Sequence, residues 1–236
     1  MLTRRNFALS TAGLMASAAL PAFARAPLGQ TLPSFHRVMV GDIEVTALLD
    51  GVLALSPDYF SGVNPADMAA ILEASGQDQT LETPINTFVV NTAGGTYLVD
   101  VGLGGAQLFG PGLGKTVANL TAAGLTPDMI DGVILTHAHP DHAEGLLNAE
   151  GVAVFPNAEI VIHEAEMAFW NDDGILAQAP EAAKGLFESA RRTLAPYADR
   201  TRQVSGGEIF PGLTLNHAPG TRWAIRCCIS PAVTHS

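Results

Sequence analysis

The chain has 236 residues, 47% of them hydrophobic and 15% charged, enough to bury a sizeable core and unlike a disordered segment. Twelve basic residues against 23 acidic ones leave a formal charge of −11. Such a surface repels phosphate backbones and anionic lipid, which argues against nucleic acid and peripheral membranes as partners. The two cysteines are the neighbours Cys227 and Cys228, a spacing unsuited to an ordinary disulfide, so this is not a disulfide-stapled domain.

Taken in chain order, residues 1–24 read as an export signal. Arg4 and Arg5 precede Phe7, an apolar run follows from Ala8 to Leu20, and Ala22-Phe23-Ala24 offers an A-x-A cleavage site. The paired arginines resemble the twin-arginine motif, which implies contact with that export machinery and a periplasmic or secreted product. The apolar run is shorter than the ~20 residues of a membrane span, so no membrane association is expected after cleavage. Loss of both arginines would leave ten basic residues against 23 acidic ones, a net −13.

Residues 25–35 form a Pro- and Gly-containing lead-in. Strands are expected at His36–Val40 and at Asp42–Leu49, where Ile43, Val45 and Ala47 alternate, with Asp50-Gly51 as a hairpin turn. Pro65–Ser75 has proline in its first turn and apolar residues at helix spacing. Ile85–Val90 and Tyr97–Val101 read as strands, and Leu113–Ala123 as a helix stopped by Gly124. Thr126–Ile130 opens a short helical turn, and Gly132–Leu135 is a continuous apolar strand. Glu159–Ile162 and Leu213–Asn216 are further strands; Glu164–Trp170 and Glu181–Ala195 are helices. The mixture defines an α/β fold.

His137-Ala138-His139-Pro140-Asp141-His142 follows the apolar strand almost at once. In extended backbone, residues two apart share a side, so His137 and His139 can grip one metal together. Pro140 stops the strand and turns the chain, and Asp141 and His142 then face a second position. Imidazole and carboxylate are the donors of catalytic zinc sites. Two metals roughly 3.5–4 Å apart activate water at neutral pH and clamp the oxygens of an attacked ester or phosphoryl centre.

These residues resemble the hallmark of the metallo-β-lactamase superfamily. Asp100, in Leu98-Val99-Asp100-Val101-Gly102, is similar to a carboxylate that stands behind the metals in that family, and Asp50-Gly51 ends an early strand in the same way. Within the superfamily the chain looks closest to the exported methyl parathion hydrolase-like branch. That likeness runs from His36 to Gly220 and rests on Gly41–Leu48, Leu108–Pro111, Phe155–Ala158 and Glu164–Trp170. It implies an αβ/βα sandwich over 36–220, two divalent metal ions of zinc type, and hydrolysis of a small ester, lactone or phosphotriester by a metal-bridging hydroxide. Under it, Asp141 binds metal, orients the hydroxide and serves as the catalytic acid–base residue. Asp100 fixes a ligand imidazole, and Phe109 and Trp170 line a substrate pocket. The bland alternatives are a hydrogen-bonded strand-end carboxylate for Asp100 and ordinary core packing for the two aromatics. His36 reads as a strand residue and His163 as a helix-entry residue.

The family's later Gly-His-Thr-x-Gly-His signature is missing. Its approach is present in Asn216-His217-Ala218-Pro219-Gly220, but Thr221 takes the ligand position, and His217 lies four residues too early. One base missing after the Gly220 codon would permit Gly-His-Thr-Leu-Gly-His-Ser in the shifted frame. Residues 221–236 are therefore expected to be a frameshifted tail, with the fold's C-terminal portion absent and little or no hydrolase activity in the chain as written. The alternatives are a non-catalytic exported metal-binding fragment, or a β-lactamase or thioesterase of the same fold.

Overall fold

The computed structural model describes residues 34–57, 62–77, 80–105, 110, 112–217 and the backbone of 225–229. The expected signal peptide, nearly all of the lead-in, Phe109 and Thr221 lie outside the described residues.

Seven strands form one sheet in chain order: β1 (Phe35–Val40), β2 (Ile43–Leu55), β3 (Leu81–Thr92), β4 (Gly95–Val99), β5 (Gly132–Ile134), β6 (Glu159–His163) and β7 (Thr201–Val204). The pairs β1–β2, β2–β3 and β3–β4 are antiparallel, the first and last joined by two-residue turns; β4 to β7 run parallel. Parallel pairing needs crossovers. These carry α2 (Thr116–Ala122), α3 (Pro140–Ala143), α4 (Glu164–Asn171), α5 (Asp173–Gln178) and α6 (Glu181–Leu194), while α1 (Pro65–Ala74) lies between β2 and β3. A second antiparallel sheet, ordered β10–β9–β8, comprises β8 (Gly207–Phe210), β9 (Leu213–His217) and β10 (Ile225–Ile229).

Strand alternation sorts the core into two layers. Leu98, Val133, Ile160 and Ile162 pack with Leu120, Phe187, Ala190 and Tyr197 from the helical side. Val90, Tyr97, Val99, Ile134 and Val161 face the opposite way, onto Ile209, Leu213 and Leu215 of the small sheet. β5 is only three residues long but wholly buried between two parallel neighbours, which explains its unbroken apolar sequence. The chain therefore has a mixed α/β architecture, as the resemblance implies.

Asp50-Gly51 is not a hairpin turn. Both residues lie inside β2, where the register shifts between Leu49 and Gly51. The bulge turns Asp50 inward, and its fully buried carboxylate accepts from Leu103 N at 3.1 Å, Gly114 N at 2.9 Å, Thr116 N at 3.0 Å and Thr116 Oγ1 at 2.6 Å. A Cβ at Gly102 would lie 2.3 Å from the Asp50 carboxyl carbon, so only glycine permits this approach. Residues 113–115, expected as helix, are consumed by that clamp, and α2 begins at Thr116. The expected strands and helices elsewhere are present with shifted ends. β7, β8, α3 and α5 had no expectation, nor did β10, whose backbone pairs with β9 within the tail.

Candidate metal centre

The carboxyl ends of three parallel strands converge here. β4 delivers Asp100, β5 delivers Thr136 and His137, and β6 delivers His163 and α4. Main-chain bonds zip the exits together: Asp100 N donates to Ile134 O, Val101 N to His142 O, and Gly145 N to Gly102 O at 2.8 Å. A Cβ at Gly145 would meet Val101 O at 2.0 Å, so glycine there lets the two loops touch. His139 caps α3, Pro140 opens it, and Asp141 and His142 occupy its first turn.

The four motif side chains meet in twos. His137 Nε2 stands 3.1 Å from His139 Nδ1, and His142 Nε2 stands 3.2 Å from Asp141 Oδ2. The His137 ring centroid lies 4.6 Å from that of His139 and 4.0 Å from that of His142, so the pairs are adjacent. Donors about 2.0–2.1 Å from a tetrahedral zinc stand about 3.3 Å apart, so both pairs have the spacing and the chemistry of ligand edges. Among the described residues, no three His, Cys, Asp or Glu side chains are arranged as a complete cage.

Asp100, buried and at φ +56°, reaches behind His142. Its Oδ2 is 2.8 Å from His142 Nδ1, and its two oxygens accept from Thr136 N and Thr136 Oγ1, each at 2.8 Å. A non-glycine residue in this left-handed region is strained; three partners hold it there. With its hydroxyl proton committed to Asp100, Thr136 Oγ1 can accept from His137 Nδ1 at 3.1 Å. That places the proton of neutral His137 on Nδ1 and leaves the Nε2 lone pair facing His139.

Electrostatics separate the imidazoles. Burial, then repulsion from His142 and His139, lowers the pKa of His137 to about 3, so it stays neutral and fit to coordinate. His142 loses basicity to burial, but the carboxylates of Asp100 and Asp141 outweigh this and raise it to about 10. Burial pushes Asp141 up, yet the hydrogen bond and charge of His142 bring it below its ordinary value.

Trp170 is 4% exposed and packs against Phe169 and Phe187, with its ring edge-on to His139 at 5.6 Å. It also lines a cavity of about 330 Å³ with His139, Phe169, Ile175, Leu186 and Phe187. Core packing and a pocket wall are thus two faces of one residue. His163 accepts from Ala165 N as the cap of α4, and His36 lies exposed on β1. Sequence reasoning missed Thr136, whose only signal is its place between the strand and the first histidine. It also missed the buried Glu166 beneath the motif.

Residues 81–222 match the metallo-beta-lactamase superfamily. A crystal structure of the hydrolase AbOPH, in the β-lactamase superfamily, is 30% identical at a TM-score of 0.77, over 86% of this chain and 72% of its own. AidC, a dizinc quorum-quenching lactonase in complex with an N-hexanoyl-homoserine product, is 25% identical at 0.75, over 84% and 71%. A probable metal-dependent hydrolase from Staphylococcus aureus, 24% identical at 0.67 over 82% and 70%, adds likeness of fold. No curated protein sequence matches significantly. The chain belongs to the metallo-β-lactamase superfamily, and these neighbours are hydrolases.

Proposed function

We propose that the protein is a metal-dependent hydrolase of small ester-like molecules (lactones, aryl esters or phosphotriesters), built around two divalent ions of zinc type. The observation that carries this is the pair of ligand-edge spacings, 3.1 Å for His137–His139 and 3.2 Å for Asp141–His142. Among its structural neighbours, the hydrolase AbOPH supports hydrolysis and the dizinc lactonase AidC supports lactones within that substrate class.

Divalent metal bound there supplies Lewis acidity, polarising the scissile bond and acidifying water. His137 and His139 would hold one ion through Nε2 and Nδ1; Asp141 and His142 would hold the other. Asp100 holds the proton on His142 Nδ1, so that the proton a metal would displace is the one on Nε2, beside Asp141. Asp141, partly exposed, is placed to orient the attacking water, to accept its proton and to pass that proton to the leaving group. The apolar cavity beside His139 takes the acyl or aryl part of the substrate and excludes water from it.

A second reading, an exported metal-binding fragment without catalysis, is favoured by one observation: among the described residues no three His, Cys, Asp or Glu side chains gather as a metal cage, where catalytic zinc usually has three protein donors. The frameshift within 221–236 and the membership of the methyl parathion hydrolase-like branch belong to the same proposal. Residues 1–24 are read as a twin-arginine signal, with 36–220 as the incomplete catalytic domain.

The test is to assay aryl esters, lactones and phosphotriesters with the chain as written and with its frame restored after Gly220, each with and without chelator. Chelator-sensitive hydrolysis by the restored chain and near-silence of the literal one are expected. Hydrolysis indifferent to chelator refutes the metal mechanism, and two tightly held zincs in the literal chain refute its impairment. The DNA around codon 221 decides the frame, and fractionation of cells expressing an Arg4→Lys, Arg5→Lys variant decides the export route.

A further inference from the structure

We propose that Glu166 is a positioning residue: its carboxylate ties the backbone between His137 and His139 to the indole of Trp170, holding ligand pair and cavity wall in one register. This rests on the metal-site reading above and names a residue outside its ligand set.

The need for such a residue follows from the motif itself. His137 and His139 share one side of the extended segment, so Ala138 faces the protein interior, where it is fully buried. Its amide cannot reach solvent, and an orphaned buried N–H costs about 1–3 kcal/mol. Glu166 Oε2 meets it at 3.1 Å. The same oxygen accepts from Trp170 Nε1 at 2.7 Å, one helical turn further along α4. Glu166 is itself only 3% exposed, too deep to be a solvated surface carboxylate.

Trp170 is fixed at a second point, where its carbonyl accepts from Arg191 Nε at 2.7 Å. Its ring then stands edge-on to His139 and walls the cavity. One carboxylate oxygen therefore couples the peptide carrying both histidines to the surface that receives the substrate. Removing it frees the loop and the indole together, and metal affinity and substrate affinity should fall together.

The experiment compares the parent with Glu166→Met, which keeps the volume but removes the acceptor, and Glu166→Gln, which keeps an acceptor oxygen. All are made in a Trp223→Phe background, which leaves Trp170 as the sole tryptophan. The readouts are hydrogen exchange at the Ala138 amide, Trp170 emission, and titration with Co(II). Glu166→Met should speed Ala138 exchange at least tenfold, shift the emission, and weaken cobalt binding by about 10–100-fold, the usual penalty for losing a residue that braces a ligand. Glu166→Gln should restore all three to within about threefold of the parent. Glu166→Asp, too short to span both donors, replaces the Met variant if that fails to fold. Unchanged Ala138 exchange in a folded variant, or no rescue by Gln, overturns the proposal. Should the parent take up no cobalt, the impairment expected of the chain as written accounts for it, the metal reading is decided by the frame-restored chain, and Ala138 exchange with Trp170 emission decides the role of Glu166.

Discussion

Replacing Asp50 by asparagine tests the main long-range clamp beside the candidate site. The substitution keeps the shape of the side chain but turns one acceptor oxygen into an NH2 group. Asp50 takes four donors, three in wholly buried surroundings, from Leu103, Gly114 and Thr116. Asparagine can serve the donors on one oxygen only, so the amide of the other arm is set against donors it cannot accept from. Two orphaned buried donors at about 1–3 kcal/mol each give an expected loss of about 3–5 kcal/mol. For a domain of this size that lowers Tm by about 10 °C. Urea unfolding followed by circular dichroism measures the loss, and hydrogen exchange at the Leu103 and Thr116 amides locates it. A variant within about 1 kcal/mol of the parent, with both amides still protected, would refute the clamp. The loop at stake also carries Asp100, so metal affinity should weaken in parallel.

Further outcomes are expected from the site and its scaffold. Asp100→Asn should weaken zinc binding by about 10–100-fold, measured with a competing chelator, because it loosens the acceptor that holds His142 Nδ1. Metal-free protein should lose stability on acidification. His137, lowered to about 3, stays neutral in the fold while the unfolded chain takes a proton below about 6.5, so stability drains between those values. His142 has the opposite sign: its contribution is complete below about 6.5 and disappears as pH rises through about 10. Urea midpoints at pH 5, 7 and 10 in the presence of chelator, compared with those of His137→Asn and His142→Asn, separate the two; an equal pH profile in all three proteins would contradict both assignments. Tyr197→Phe should cost about 1–3 kcal/mol in the same assay, since the buried hydroxyl accepts from Phe155 N at 3.1 Å and donates to Leu146 O at 2.8 Å.

The sequence by itself determined the family, the α/β class and the paired character of the site. All three rest on local signals: an apolar strand too continuous to be half-exposed, histidines two apart on its extension, and a proline that turns the chain between the two ligand pairs. Asp50 shows where such reading stops. Asp-Gly has the composition of a hairpin turn, yet a bulge in a 13-residue strand turns the same dipeptide into a buried clamp reaching residues 53–66 positions away. Only the tertiary structure decided that Asp100 stands behind His142 rather than His137, that Thr136 fixes the proton of His137, and that Glu166 lies beneath the motif. Those choices depend on which strand ends the parallel pairing of β4, β5 and β6 brings together, and on which buried donors are left seeking an acceptor. Neither quantity is carried by any local stretch of chain.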